Sequence, residues 1–79
     1  MSISVDDAVA VDVMIDDRAM HVRIRDGRTL RAPLHWFPRL AGATDAERGD
    51  WRLIGSGEGI HWNSLDEDVS IAGLLRRAS

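Results

Sequence analysis

Apolar residues recur at every second position through the first third of the chain. Val9, Val11, Val13 and Ile15 alternate with Ala10, Asp12 and Met14. That period-two run of β-branched residues predicts a half-buried strand. Asp16, Asp17 and Arg18 read as a turn. Met20, Val22 and Ile24 then alternate with His21, Arg23 and Arg25, giving a second strand with one apolar and one charged face. Asp26-Gly27 follows at once. An Asp-Gly pair between alternating runs predicts a tight hairpin of type I′, because glycine accepts positive φ. The third strand carries Leu30, Ala32 and Leu34 inward and closes at Pro33, which cannot donate to a ladder. Three strands joined by short turns make an antiparallel meander.

Beyond His35 the period changes. Pro38 disfavours helix at Phe37 and suits the first turn of one after it. A short helix is therefore expected over Pro38–Ala41, ended by Gly42, with Trp36, Phe37 and Leu40 covering the meander. Thr44-Asp45-Ala46-Glu47 is a capping box and opens a short turn through Arg48, closed by Gly49. Trp51–Ile54 reads as a fourth strand, Gly55–Gly59 as a turn and Ile60–Trp62 as a brief fifth strand. Ile71, Leu74 and Leu75 fall at helical spacing, with Ser70 as N-cap. Asp66, Glu67 and Asp68 would then lie at the positive end of the helix dipole, and Arg76 and Arg77 at the negative end. The expected fold class is α+β. A small antiparallel β-sheet, a three-stranded meander plus short strands, is covered by short helices and followed by a C-terminal helix. Residues 1–79 are expected to form a single domain, with 1–7 a frayed lead-in.

Size makes the aromatic residues matter. A chain of 79 residues buries only about 60% of its unfolded surface, so three tryptophans and one phenylalanine are needed mostly for the core. One tryptophan is a candidate exposed anchor, since tryptophan and arginine dominate interface hot spots. There is no cysteine, which excludes disulfides and thiolate metal sites. No apolar run reaches the roughly 18 residues of a membrane span, and the N-terminus lacks a basic start and an apolar stretch. The expected location is cytoplasmic, with no membrane partner. The net charge is −3 and all ten basic residues are arginine. Acids dominate residues 6–17, arginines 18–31, and acids return at Asp66–Asp68. This balance argues against direct nucleic-acid binding, which usually shows a basic excess.

Candidate chemistry is sparse. Arg23 and Arg25 share the outward face of the second strand, and Arg31 that of the third. Together they form a guanidinium patch suited to carboxylates or phosphates, or a solvated face neutralised by Asp12. Asp66, Glu67 and Asp68 with His61 suggest a divalent-metal or acid/base cluster. Adjacent side chains of an extended run point in different directions, however. A helix-start cluster pairing with backbone N–H groups or an arginine is the simpler expectation. The three histidines lack metal-ligand spacing, and the serines lack a nucleophile elbow. Gly55-x-Gly57-x-Gly59 joins two strands, without the following helix or lysine of a phosphate loop. No catalytic residue, metal or cofactor is expected.

One family pattern emerges from the second half. Pro33-Leu34-His35-Trp36-Phe37-Pro38-Arg39-Leu40 is followed by Ala43-Thr44, Glu47-Arg48, Trp51, Gly57, Gly59-Ile60-His61-Trp62, Leu65-Asp66-Glu67-Asp68 and Gly73-Leu74-Leu75. With the Asp26-Gly27-Arg28 turn, this order resembles the bacterial domain-of-unknown-function family 2442 from Val9 to Arg77. Two positions depart from it. Asn63 stands where the family usually has proline, and Arg77 where it has glycine. The resemblance implies an α+β domain with an antiparallel sheet. It also implies a partner role in toxin–antitoxin-type gene pairs, and it carries over no catalytic residue. The expected function is a non-enzymatic protein-binding module, an antitoxin-like or regulatory member of a bacterial gene pair that occludes a partner surface. The alternative is a phage-type anti-CRISPR inhibitor that binds a type I CRISPR effector complex and blocks its target DNA binding. Arg23, Arg25, Arg31, Asp66, Glu67 and Asp68 are the candidate contact residues, toward another protein or protein complex. The oligomeric state is left open.

Overall fold

Two antiparallel three-stranded sheets share one core. In the first, β1 (Ala10–Ile15), β2 (Ala19–Ile24) and β3 (Thr29–Pro33) pair in chain order; in the second, β4 (Trp51–Ile54), β5 (Gly59–Trp62) and β6 (Glu67–Ser70) do the same. The computed structural model describes residues 9–78, so the lead-in expected over 1–7 lies outside the described residues. Between the sheets run a single 3-10 turn at Leu34–Trp36, α1 (Pro38–Ala41) and α2 (Asp45–Gly49); α3 (Ile71–Ala78) follows β6. Among the described residues no helix is long and apolar enough to cross a membrane.

The alternation expected for β1 is broken. Ala10 pairs with Ile24, whereas Asp12 pairs with the next residue, Arg23. Val11 is therefore an extra residue, a β-bulge. The bulge turns Ala10 into the core and leaves Val11 46% exposed. The hairpin after β2 also differs from the expected type I′ turn. Asp26 does not take positive φ, and Gly27 does, at +99°. Gly27 N–H donates to Ile24 O (2.9 Å) and Ile24 N–H to Arg28 O (2.8 Å). Arg25, Asp26 and Gly27 thus form a three-residue loop with glycine at its left-handed position, the next commonest hairpin closure.

The helix ends follow their sequence signals. Pro38 occupies the first turn of α1, and Gly42 caps its end. Thr44 and Glu47 close a reciprocal capping box on α2, while Gly49 ends that helix rather than lying beyond it. Ser70 Oγ accepts the Gly73 N–H (3.2 Å) and caps α3.

The acidic run is where expectation and structure part. Glu67 and Asp68 lie in β6 and pair with Trp62 and His61, instead of forming a helix-start cluster. A strand there completes the second sheet and lets Val69 pack opposite Ile60 in the core.

That core joins both sheets. Met20, Val22, Ile24 and Ala32 from the first meet Ile60, Trp62 and Val69 from the second, with Leu34, Leu40, Ile71 and Leu74 from the connections. Each fully buried aliphatic side chain contributes about 1.5–3 kcal/mol. Trp62 is fully buried, and its Nε1–H donates to Arg48 O (3.0 Å). Trp36 and Trp51 are half-buried against the core edge. A backbone bond crosses the seam between the sheets, Ala10 N–H donating to Gly57 O (2.8 Å), while Ile71 N–H to Glu58 O (2.9 Å) extends the β5–β6 pairing.

Candidate functional site

Successive strand side chains point to opposite faces, so burying Val13, Val22 and Ala32 sends their neighbours outward. The outer face of the first sheet is built in two rows. Asp12, Arg23 and Thr29 form one, and Met14, His21 and Arg31 the other. Arg23 and Arg31 are exposed on neighbouring strands of this face. Arg25 lies just past β2 in the hairpin loop, exposed, with its N–H bonded to Val9 O (2.9 Å). Met14 is 62% exposed. Asp12, Val13, Met14, His21, Arg23 and Thr29 line a shallow hollow of about 190 Å³.

Both acids nearest this face are committed to the local backbone. Asp12 stands beside Arg23 in the register, yet its Oδ1 accepts the Val13 N–H (2.9 Å). Asp16 Oδ1 accepts the N–H groups of Arg18 (2.7 Å) and Ala19 (2.8 Å), and its Oδ2 lies 3.2 Å from His21 Nε2. Those backbone donors, with His21 behind them, lower the Asp16 carboxyl to about 2.

The three acids of the C-terminal run diverge. Asp66 is left-handed (φ 49°) at the end of the 3-10 turn Asn63–Leu65. Its carbonyl, not its carboxylate, accepts from Arg39 Nη1 (2.9 Å), which also reaches Leu65 O (3.4 Å). Glu67 shares the register row of Trp62, and Asp68 faces the other way. Asp68 Oδ1 lies 2.5 Å from His61 Nδ1, directly across the strand pair. Arg52 of β4 stands on the far side of His61 in the same row. Among the described residues no three His, Asp or Glu side chains converge as a metal site.

A second hollow opens beside this row. Phe37, Asp68, Val69, Ser70, Gly73, Leu74 and Arg77 line a cleft of about 230 Å³. At its rim the Arg77 guanidinium lies 4.2 Å from the ring centre of Trp36, and Trp36 in turn meets Phe37 edge to face at 6.5 Å. Sequence reasoning grouped His61 with the three acids but did not single out Asp68, which the β5–β6 register selects, and it missed the stack of Arg77 on Trp36. The one signal for β6 was Val69 between Asp68 and Ser70, a single apolar residue in an otherwise polar run.

Comparison with known proteins gives a family and a relative, both without an assigned activity. The model of a family described as "Protein of unknown function (DUF2442)" matches residues 10–79. No curated protein matches. The crystal structure of a protein of unknown function from Rhodospirillum rubrum ATCC 11170 is similar, with 29% sequence identity and a TM-score of 0.76, over 89% of this chain and 87% of that one.

Proposed function

Starting from the fact that the chain belongs to the DUF2442 family, we propose that it is a non-enzymatic protein-binding module whose contact surface is the outer face of the first sheet. It acts as an antitoxin-like or regulatory member of a bacterial gene pair, and occludes an acidic surface of its partner.

One observation carries this reading. Arg23 and Arg31 are exposed together on a sheet face whose nearest carboxylates, Asp12 and Asp16, are taken up by backbone N–H groups. Neither guanidinium takes part in an ion pair among the described residues, so both are open to planar, bidentate pairing with carboxylates. Exposed Met14, between them and the open side of β1, supplies an adaptable apolar contact. Arg25 extends the basic surface into the hairpin loop. An anti-CRISPR reading needs a concentrated acidic surface in competition with DNA phosphates. Asp66, Glu67 and Asp68 point apart, so the arginine face has the stronger support.

Capture from the native host tests the proposal. The wild-type chain and Arg23→Glu/Arg31→Glu are used as baits, with and without nuclease. The expected result is one protein retained in near-equal amount by wild type, insensitive to nuclease and reduced at least about tenfold by the double reversal, since opposed charges cost several kcal/mol at an interface. Capture that survives the reversal but disappears when Asp66, Glu67 and Asp68 are neutralised would transfer the site to the acidic end. Nuclease-sensitive capture would defeat the protein-binding reading.

A further inference from the structure

We propose that the cleft between Phe37 and α3 binds the C-terminal residue of another polypeptide, an aliphatic side chain together with its α-carboxylate. This site is separate from the arginine face and does not depend on it.

The cleft has one apolar wall and one fixed cation. Phe37, Val69 and Leu74 supply the apolar surface. Arg77 supplies the cation, and its guanidinium carbon sits over the Trp36 ring, 4.2 Å from the ring centre. Stacking of this kind fixes an otherwise flexible side chain before any anion arrives. Arg77 takes part in none of the ion pairs among the described residues. Asp68 also lines the cleft, with one of its oxygens held by His61, and its negative charge leaves Arg77 as the group that a carboxylate would approach.

Gly73 adds an independent observation. Glycine inside a helix lowers helix propensity, yet a Cβ at Gly73 would meet nothing closer than Ser70 Cβ at 3.5 Å. Its backbone is not among those at positive φ. Neither a turn nor crowding calls for glycine here. What the missing side chain does is leave the cleft open between Ser70 and Arg77.

Size and openness select the ligand. Small-molecule sites usually measure about 300–1,000 Å³ and enclose most of their ligand. This cleft holds about 230 Å³, room for one side chain, and one of its lining groups, Asp68, has a side chain 69% exposed. It is too small for a nucleotide and too open to enclose a free metabolite. A C-terminal residue carries an apolar side chain and a carboxylate on the same Cα, and the rest of its chain lies outside on the surface.

The test uses the full chain and two probes, N-acetyl-leucine and N-acetyl-leucinamide, in ¹H–¹⁵N correlation spectra. The Trp36 indole and the Gly73 and Leu74 amides report on the cleft; the buried Trp62 indole is the internal control. The acid is expected to give saturable shifts at the cleft with Kd on the order of millimolar, as befits so small a ligand, and the amide to bind about fivefold more weakly. Arg77→Met should abolish that preference. Gly73→Leu, which fills the cleft and favours the helix, should remove binding of both probes from a folded protein. Equal binding of acid and amide, a preference that survives Arg77→Met, or no shifts at all would overturn the proposal. Tighter binding of free leucine than of N-acetyl-leucine would also overturn it, by making the site one for a zwitterionic metabolite.

Discussion

Asp16 shows how much one short side chain settles. Its Oδ1 receives two backbone N–H groups within the β1–β2 turn, and its Oδ2 faces His21. Three donors around one carboxylate favour the charged form, so its pKa falls from an ordinary 3.8 to about 2. A depressed folded-state pKa gives stability that is present above the unfolded value and lost as pH falls through the folded one. The thermal midpoint of wild type should therefore drop between about pH 4 and about pH 2. Asp16→Asn should start lower at neutral pH and lose less across that window, as a series of thermal melts would show. Equal slopes in the two proteins would mean that the turn draws nothing from the charge.

Elements are held to one another by Arg48, which sequence reasoning treated only as part of a turn. The residue is 9% exposed. Its Nε donates to Leu40 O (2.9 Å), which also takes the Ala43 N–H, and its Nη2 to Ala41 O (3.0 Å), both carbonyls at the end of α1. Its Nη1 reaches Asp17 (3.0 Å) in the β1–β2 turn, and its own carbonyl takes the Trp62 indole N–H. One residue of α2 thus ties α1, the first sheet and β5 together. Arg48→Met keeps the stem and removes the donors, and should cost about 1–3 kcal/mol, because the Ala41 carbonyl loses its partner while the Leu40 carbonyl keeps the Ala43 N–H. Asp17→Asn should cost under about 1 kcal/mol, since that carboxylate is 94% exposed and solvent-facing pairs contribute little. Urea denaturation of both variants separates the two terms. A loss on Asp17→Asn as large as that on Arg48→Met would make the ion pair, not the carbonyl caps, the stabilising contact.

For the whole molecule, the seam between the sheets is decisive, and Gly57 stands at its centre. It adopts φ +107°, and a Cβ there would run into the Ala10 carbonyl and lie 2.8 Å from Val9 Cγ1. Gly57→Ala should cost about 2–4 kcal/mol from backbone strain and overpacking together. Gly49→Ala, with nothing within 4 Å of its Cβ, should instead stabilise α2 slightly. Chemical denaturation of the pair checks both signs. The same seam explains the β1 bulge. Ala10 must turn inward so that its N–H can meet Gly57 O, and Val11 is displaced to the surface.

Local signals were legible wherever one residue type answers one backbone need. The alternation of β2, the capping box at Thr44, Pro38 opening α1, Ser70 capping α3 and the turn at Gly27 are all set within a few residues by sterics and by short-range hydrogen bonds. The family pattern was legible too, because it consists of residues in order. Contacts between distant segments were not. The bulge at Val11, the strand nature of Glu67–Ser70, the pairing of His61 with Asp68 and the stacking of Arg77 on Trp36 each depend on a partner many positions away. Val69 by itself is one apolar residue among acids, and only the exposed edge of β5 makes it a strand. In the sequence, the acids from Asp66 to Asp68 and the arginines from Arg23 to Arg31 are equivalent charge runs. The fold separates them, because pairing with β5 sends neighbouring acids to opposite faces, while burial of the first sheet's other side leaves Arg23 and Arg31 exposed together.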